Sequence, residues 1–337
     1  MREQPWQQVW SKCSAAVTWE QREGMEADIT IEEIEGAAAD LPKRKAAGPD
    51  GMPMDHLHAV MPTVCLMLGE MFNAFLSGRQ RMPTGFGGAT IVVLHKKGDP
   101  AEIRNWRPVS LLSAPYKLYA KVLANRLARV LPSLIHPTQT GFVRGRQILT
   151  NVIMIREVLH TAAQVNPPLA VMLLDFEKAY NKVRWSFLLH GLEMWGFGER
   201  FCKLMASDHV RSTSQGPFVR AVHCHRRYDT AAISEVTQSS VTALKEKVQQ
   251  FEHYTGARVN WAKSAVIAPE VAGEQCFQGL EARGVRKVTT GITGLWKPSV
   301  HSDVAFLSFD VGSSYHCEAE FTKCWIVHPP AGNVSWA

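Results

Sequence analysis

The chain has 337 residues, of which 46% are hydrophobic and 20% charged, with a formal net charge of +6. This composition is typical of a globular protein, and the length is sufficient for one large domain or two smaller ones. The opening residues lack the apolar stretch of a secretory signal, and we expect no apolar run to span a bilayer. We therefore expect an intracellular protein of the nucleus or cytoplasm, not secreted and without a membrane partner.

The first half of the chain predicts helices separated by Pro- and Gly-containing loops. Thr30 and Glu33 form a capping box that opens a short helix, which ends near the loop "LPKRKAAGPDG". Further helices are predicted at residues 64–76 and 113–131, with the β-branched strand "GGATIVVLH" between them.

Positive charge is concentrated in one part of the chain. Ten Lys or Arg residues and two acidic residues lie between His95 and Arg146, so this segment is more positive than the whole chain. Within it, Lys117, Lys121 and Arg129 recur at helical spacing and predict a basic stripe along one helix. Such a stripe suits a polyanion, because neutralising phosphates releases counterions, but it is equally typical of a solvated helix face.

The second half predicts one strand that is buried in the middle of a sheet. The run "LAVMLLD" follows a helix at 148–159, is apolar without interruption, and ends on Asp175. Helices are then predicted at 185–195, 199–206 and 241–254, the last stopped by a glycine and followed by a strand. After Ala268 the periodicity fades and no structure is assigned.

Asp175 occupies the position where α/β sheets display functional groups, namely the carboxyl end of a buried strand. A structural acid that caps the following helix would give the same pattern. Phosphoryl transfer with two metal ions needs carboxylates from separate strands, and "YDTAAI" offers Asp229 as the second.

Seven motifs in fixed order carry a family resemblance: "KAAGPDG", "IVVLHKKGDPAEIRNWRPVSLL", "YKLYAKVLANRL", "QTGFVRGRQILTNV", "LLDFEKAYNKV", "YDTAAI" and "GARVNWAKS". Together they resemble the reverse transcriptase domain of non-LTR (LINE-type) retrotransposons over about residues 29–268. The resemblance implies an α+β right-hand polymerase with fingers, a palm with an antiparallel sheet, and a helical thumb. The implied division is an N-terminal extension at 1–28, fingers and the start of the palm at 29–168, an incomplete palm at 169–236, a thumb-side helix and strand at 237–268, and an unassigned tail at 269–337.

The resemblance further implies an RNA-directed DNA polymerase, a nucleotidyltransferase that uses an RNA template, a DNA primer, deoxynucleoside triphosphates and Mg²⁺, with Mn²⁺ as a substitute. Asp175 and Asp229 would bind the metal ions, and Lys263 would protonate pyrophosphate. The implied nucleotide-binding residues are Phe176, Tyr180, Arg107, Arg144 and Arg146. The implied nucleic-acid-binding residues are Lys117, Lys121, Arg129, Gln215 and Gly216. Plain structural roles remain open: Tyr180 could pack under the sheet, Lys263 could be solvated, and the arginines could hold their loop to nearby carboxylates.

Two departures from the family pattern affect the expected activity. The family's second catalytic motif has an aromatic residue, a small residue and two aspartates, whereas this chain has Tyr228, Asp229 and Thr230. Tyr228 also follows Gln215 and Gly216 too soon for the family's long palm helix. Because a displacement of about an ångström can cost on the order of a hundredfold in rate, we expect weak or absent activity. The alternatives are a non-catalytic nucleic-acid-binding remnant and an unstable product of a decayed element.

Overall fold

The computed structural model describes residues 15–83, 85–141, 143–162, 169–177, 182–206, 230–235, 237–269, 280, 284–290 and 324–326. Its helices are α1 (Trp19–Glu26), α2 (Ile31–Asp40), α3 (Met54–Leu76), α4 (Ala114–Leu134), α5 (Ile148–Ala162), α6 (Trp185–Met194), α7 (Glu199–Ala206) and α8 (Gln238–Thr255). Its strands are β1 (Ala89–His95), β2 (Trp106–Leu112), β3 (Leu169–Leu174), β4 (Thr230–Glu235), β5 (Ala265–Pro269), β6 (Arg286–Thr290) and β7 (Cys324–Ile326). This mixture of helix and sheet confirms the expected α+β class.

The described residues form two compact units, and the chain contributes to each unit twice. The first unit is drawn from Met1–Leu134 and Trp185–Val222, and the second from Ile135–Arg184 and His223–Ala337. The first unit holds the antiparallel hairpin of β1 and β2 and most of the helices. The second holds the sheet that ends at Asp175.

Helix α3 corrects two expectations from the sequence. It begins at Met54 and continues through Pro62, whereas the predicted helix began after this proline. By length and composition it is also long and apolar enough to cross a membrane, which the sequence expectation had excluded. In the first unit the helix buries Leu57, Leu68 and Phe72, so packing of this face outweighs the hydrogen bond that a proline removes.

The described part of the predicted N-terminal extension belongs to the first unit. Met25 of α1 is only 1% exposed. The Glu26 carboxylate accepts a hydrogen bond of 3.0 Å from the backbone N–H of Phe201 in α7, and Val17 N–H donates to the carbonyl of Trp195 at 2.8 Å. Residues 15–28 thus pack within the first unit, and the boundary at residue 28 implied by the family resemblance stays a prediction.

The buried Arg126 of α4 ties the beginning of the chain to the first unit. Its Nε and Nη2 donate to the two carboxylate oxygens of Glu33 at 2.9 and 2.6 Å. The other guanidinium hydrogens reach the backbone carbonyls of Met25, Ala27 and Asp28 at 3.2, 2.6 and 3.0 Å. All five donors of the guanidinium are thereby engaged, as a buried cation requires. Glu33 also closes the predicted capping box with Thr30.

The second unit is built on a five-stranded mixed sheet in the order β6-β5-β3-β4-β7. β3 lies at its centre, antiparallel to both neighbours, and the outer strands β6 and β7 run parallel to the strands they join. Residues 170–174 are all buried, which confirms the prediction from the uninterrupted apolar run. The two outer strands come from the tail to which the sequence assigned no structure.

Helix α8 packs on this sheet. Its buried residues Val241, Leu244 and Val248 form one apolar cluster with Met172 and Leu174 of β3. The helix and the sheet belong to the same compact unit, and the thumb implied for this helix by the family resemblance stays a prediction. Its N-cap Thr237 accepts a hydrogen bond from the backbone N–H of Ser240 at 3.1 Å, and the left-handed Gly256 ends it as predicted.

Gly256 is required by its backbone and by its neighbours. Its φ of +79° is strained for residues with a side chain, and an added Cβ would lie 2.7 Å from the Lys182 carbonyl oxygen and 2.9 Å from Cγ of Arg184. Arg184 in turn donates from its backbone N–H to the Thr255 carbonyl and from Nη1 to the His253 carbonyl. The end of α8 and the chain after Asp175 are therefore in direct contact.

We expect Arg126→Met to lower the free energy of unfolding by about 3 kcal/mol, since it removes two hydrogen bonds from the partly buried Glu33 carboxylate and the donor to three backbone carbonyls. The control is Lys121→Met on the same helix, where a partly exposed ion pair with Asp40 at 3.1 Å is removed. That change is expected to cost less than about 1 kcal/mol in urea denaturation. Equal losses in the two variants would contradict the role assigned to Arg126.

The same pair predicts a dependence of stability on pH. Burial raises the pKa of Glu33, but its hydrogen bonds and charge interaction with Arg126 outweigh this effect, so the pKa lies below its ordinary value of 4.5. A lowered pKa in the folded state contributes stability that is present above 4.5 and is lost as the pH falls through the lowered value. The difference in unfolding free energy between wild type and Arg126→Met should therefore shrink below that pH in acid titrations followed by circular dichroism. A difference that stays constant down to the lowest pH measured would argue against the ion pair.

Gly256→Ala is expected to lower the free energy of unfolding by more than about 1 kcal/mol, because it adds left-handed strain and a collision with the Lys182 carbonyl. Gly36→Ala is the matched control, since Gly36 lies within α2 and an added Cβ would meet nothing within 4 Å. The control should be neutral or stabilising by up to about 1 kcal/mol. Thermal or urea denaturation of the two variants measures these changes. A Gly256→Ala variant as stable as wild type would refute the argument.

Candidate active site

The candidate site is centred on Asp175, which follows β3 directly and is half-buried. In the antiparallel pairing of β3 with β4, Leu174 is opposite Thr230. Asp229 precedes Thr230 in the sequence and lies outside the described residues. Leu174, which precedes Asp175, and Thr230, which follows Asp229, therefore lie at the same end of the β3–β4 strand pair.

Both backbone polar groups of Asp175 are bound by the segment that precedes β5. The Asp175 N–H donates to the hydroxyl of Ser264 at 3.1 Å, and its carbonyl accepts from Asn260 N–H at 2.7 Å. The next residues continue this pairing, because Phe176 forms an antiparallel bridge with Val259. The motif "GARVNWAKS" therefore packs along the strand extension that carries Asp175.

Phe176 and Lys263 lie close to this pairing but in different environments. The Phe176 ring is 5.5 Å from the ring of Phe251 and packs against the apolar cluster of α8 and the sheet. Lys263 is exposed and lies in the 3₁₀ turn Trp261–Lys263, next to Ser264. The turn places Lys263 one residue from a group that contacts Asp175, and its role as a proton donor stays a prediction.

The three arginines expected to bind nucleotide differ in how their side chains are used. Arg107 on β2 and Arg144 are exposed. Arg146 instead donates to the backbone carbonyls of Ile135, His136 and Gln139 at 2.8, 2.6 and 2.8 Å. Its guanidinium holds its own loop, through carbonyl groups rather than the carboxylates weighed in the sequence. This favours the structural role for Arg146 and leaves the prediction for the other two unchanged.

The predicted basic stripe on α4 lies largely against acidic residues of the first unit. Lys121 pairs with Asp40 at 3.1 Å, and Arg129 lies 3.7 Å from Glu33. Partial burial lowers the pKa of Lys117, although the nearby Asp50 acts in the opposite direction. The stripe is therefore partly paired with acidic neighbours, although Arg129 stays exposed, and its cationic field is weaker than the sequence indicated.

Two residues of the "KAAGPDG" motif have structural roles that the sequence analysis missed. The Asp50 carboxylate accepts a hydrogen bond of 2.9 Å from Ala114 N–H, at the first residue of α4. A Cβ on Gly48 would collide with the backbone carbonyl of Leu112 at the end of β2. An Asp in a Pro-Gly loop is a general sign of a cap or turn, but the helix it caps lies more than sixty residues away in the sequence. Ser264 was missed for the same reason.

Four of the predicted site residues, Tyr180, Gln215, Gly216 and Asp229, lie outside the described residues. Across the part of the chain that the structure describes, no group of three or more His, Cys, Asp or Glu residues is arranged to hold a metal ion. Asp229 lies outside that part of the chain, so the pair of carboxylates predicted from the sequence stays a prediction.

Comparison with known proteins identifies the class. Residues 94–224 match the family described as "Reverse transcriptase (RNA-dependent DNA polymerase)". The chain is 37% identical over 188 residues to the "Transposon TX1 uncharacterized 149 kDa protein" of Xenopus laevis, a match that covers 55% of this chain and 14% of that protein. It is 30% identical over 168 residues to the "RNA-directed DNA polymerase from mobile element jockey" of Drosophila melanogaster, covering 48% and 18%. It is also 28% identical over 171 residues to the "Retrovirus-related Pol polyprotein from type-1 retrotransposable element R2" of Popillia japonica, covering 51% and 23%.

The matched segment, with its mixed helix and sheet, is thus a reverse transcriptase domain. More particularly, it belongs with the reverse transcriptases of non-LTR (LINE-type) retrotransposons, which confirms the resemblance drawn from the motifs. The matches span less than a quarter of the length of each of these relatives.

Proposed function

We propose that this chain is an RNA-directed DNA polymerase whose active site is formed by Asp175 and Asp229 and whose activity is weak. The observation that carries the proposal is the register of β3 and β4. Leu174, next to Asp175, is opposite Thr230, next to Asp229, so the residues beside both aspartates lie at the same end of the strand pair. The reverse transcriptase family generally uses divalent metal ions, and two carboxylates from separate strands are the arrangement that such ions require.

The donor set fits Mg²⁺, with Mn²⁺ as a substitute. Carboxylate oxygens are hard ligands of the kind Mg²⁺ prefers. Asp175 follows the buried residues 170–174 of β3, and its backbone N–H and carbonyl are both hydrogen-bonded, so its carboxylate extends from a well-held backbone. Asp175 and Asp229 would hold the ions, which when bound would activate the primer 3′ hydroxyl and stabilise the leaving pyrophosphate.

The remaining roles follow from charge and position. Lys263, exposed in the turn beside Ser264, is the proposed proton donor to pyrophosphate. Arg107 and Arg144 are exposed guanidinium groups suited to the phosphates of a deoxynucleoside triphosphate and of the RNA template and DNA primer. Tyr180 and the backbone carbonyl of Phe176 are proposed to line the nucleotide site.

The low activity follows from the chain around the second aspartate. Tyr228, Asp229 and Thr230 supply one carboxylate where the family motif has two. The segment between Gly216 and Tyr228 is also too short for the long helix that precedes this motif in the family. Because a displacement of about an ångström in a catalytic group can cost on the order of a hundredfold in rate, these departures are expected to reduce activity.

The basic stripe supports the alternative of a nucleic-acid-binding remnant less strongly than its charge alone indicated. Lys121 and Arg129 lie against Asp40 and Glu33, so they are partly neutralised within the first unit. Such a remnant would depend mainly on exposed groups such as Arg107 and Arg144.

Primer extension on an RNA template by the purified chain tests the proposal. We expect slow incorporation of deoxynucleotides that requires Mg²⁺ or Mn²⁺ and falls at least about a hundredfold in Asp175→Ala, because a metal-binding carboxylate is removed. Glu177→Ala is the matched control, since this exposed acid lies two residues along the same chain segment and should retain wild-type incorporation.

Two results would contradict the proposal. Incorporation that persists in Asp175→Ala would show that the site lies elsewhere. Absence of incorporation by the wild type, together with RNA binding that weakens steeply with salt, would replace the polymerase by the nucleic-acid-binding remnant.

A further inference from the structure

Ser264 has an unusual position for a buried hydroxyl. It is 1% exposed and lies at the junction between the 3₁₀ turn Trp261–Lys263 and β5. Its Oγ accepts the backbone N–H of Asp175 at 3.1 Å and donates to the carbonyl of Asn260 at 2.9 Å. Both hydrogen-bonding functions of the hydroxyl are therefore directed at backbone groups.

Together with a bond from Asn260, these hydrogen bonds link Asp175, Ser264 and Asn260 in a ring. Asn260 N–H returns a hydrogen bond of 2.7 Å to the Asp175 carbonyl, so one short segment binds both backbone polar groups of this residue. The Ser264 N–H also closes the turn by donating to the carbonyls of Asn260 and Trp261 at 3.0 and 3.1 Å. The position of Asp175 is thereby fixed relative to the turn that carries Lys263.

We infer that Ser264 is a positioning residue for the metal-binding carboxylate of Asp175 and couples it to the turn that bears Lys263. The inference rests on the proposed function, because it assumes that Asp175 binds a metal ion. Without the hydroxyl, the Asp175 N–H loses its acceptor at the point where β3 ends, and the backbone can move away from the turn. A shift of about an ångström in a metal ligand is enough to reduce binding and catalysis.

Thr255 provides a control with the same chemistry at another place in the second unit. Its buried hydroxyl accepts from Ala257 N–H at 3.0 Å and donates to the Phe251 carbonyl at 2.7 Å, so it too joins two backbone groups. It makes none of the bonds to Asp175. Thr255→Val therefore removes an equivalent pair of hydrogen bonds and reports the effect of destabilising the unit alone.

The test is Mn²⁺ binding to the full chain, measured by titration with electron paramagnetic resonance detection. We expect Ser264→Ala to raise the dissociation constant about tenfold, in the range found when an outer partner of a metal ligand is lost. Ser264→Thr, which keeps the hydroxyl, should restore wild-type binding, and Thr255→Val should leave it unchanged. Asp175→Asn defines the signal that remains when the ligand is removed.

Exchange of the Asp175 backbone amide with solvent, followed by nuclear magnetic resonance, gives a readout that does not depend on metal. It should be faster in Ser264→Ala than in wild type and unchanged in Thr255→Val. Unchanged exchange, or wild-type Mn²⁺ affinity in Ser264→Ala, would overturn the role of Ser264 and leave the proposed function intact. If the wild type binds Mn²⁺ no better than Asp175→Asn, the proposed function fails and the role of Ser264 fails with it.

Discussion

The second unit depends on the burial of β3 at the centre of its sheet. Residues 170–174 are buried, so the strand is held on both faces and by a neighbour at each edge. β3 ends at Leu174, and the next residue, Asp175, has both of its backbone polar groups hydrogen-bonded to the segment before β5. Packing of Val241 and Leu244 of α8 on one face then fixes the sheet against the helix. The Asp175 carboxylate thus extends from the end of the buried, central strand of the sheet.

The first unit uses its charges differently from the way their order in the chain indicates. Arg126 is buried and satisfies all five donors within the protein, whereas Lys121, on the same helix, makes a partly exposed pair with Asp40. Both are single basic residues in the same positive segment. Their contributions to stability differ because the desolvation of a buried ion pair must be offset by hydrogen bonds to every charged group. The charges of an exposed pair can instead be hydrated by water. A basic segment is therefore not the same as a basic surface.

Local signals in the sequence were reliable where the physics that produces them is local. The capping box of Thr30 and Glu33, the apolar face of α4 and the stop of α8 at Gly256 all depend on residues within a few positions of one another. Other features needed longer-range information. Helix α3 continues through Pro62, because its buried face stabilises it, and the backbone carbonyls of Met25 and Ala27 in the first unit accept hydrogen bonds from Arg126.

The sequence by itself determined the main helices, the buried strand, Asp175 at its end and the order of motifs by which the matched segment resembles LINE-type reverse transcriptases. Only the tertiary structure decided which groups meet. Ser264 and Asp175 are 89 positions apart, and Arg126 and Glu33 are 93 apart. No periodicity or spacing encodes such pairs, because they form only when separate elements pack and each buried donor must find an acceptor. The same requirement engages Arg146 with its own loop and leaves Arg107 and Arg144 at the surface.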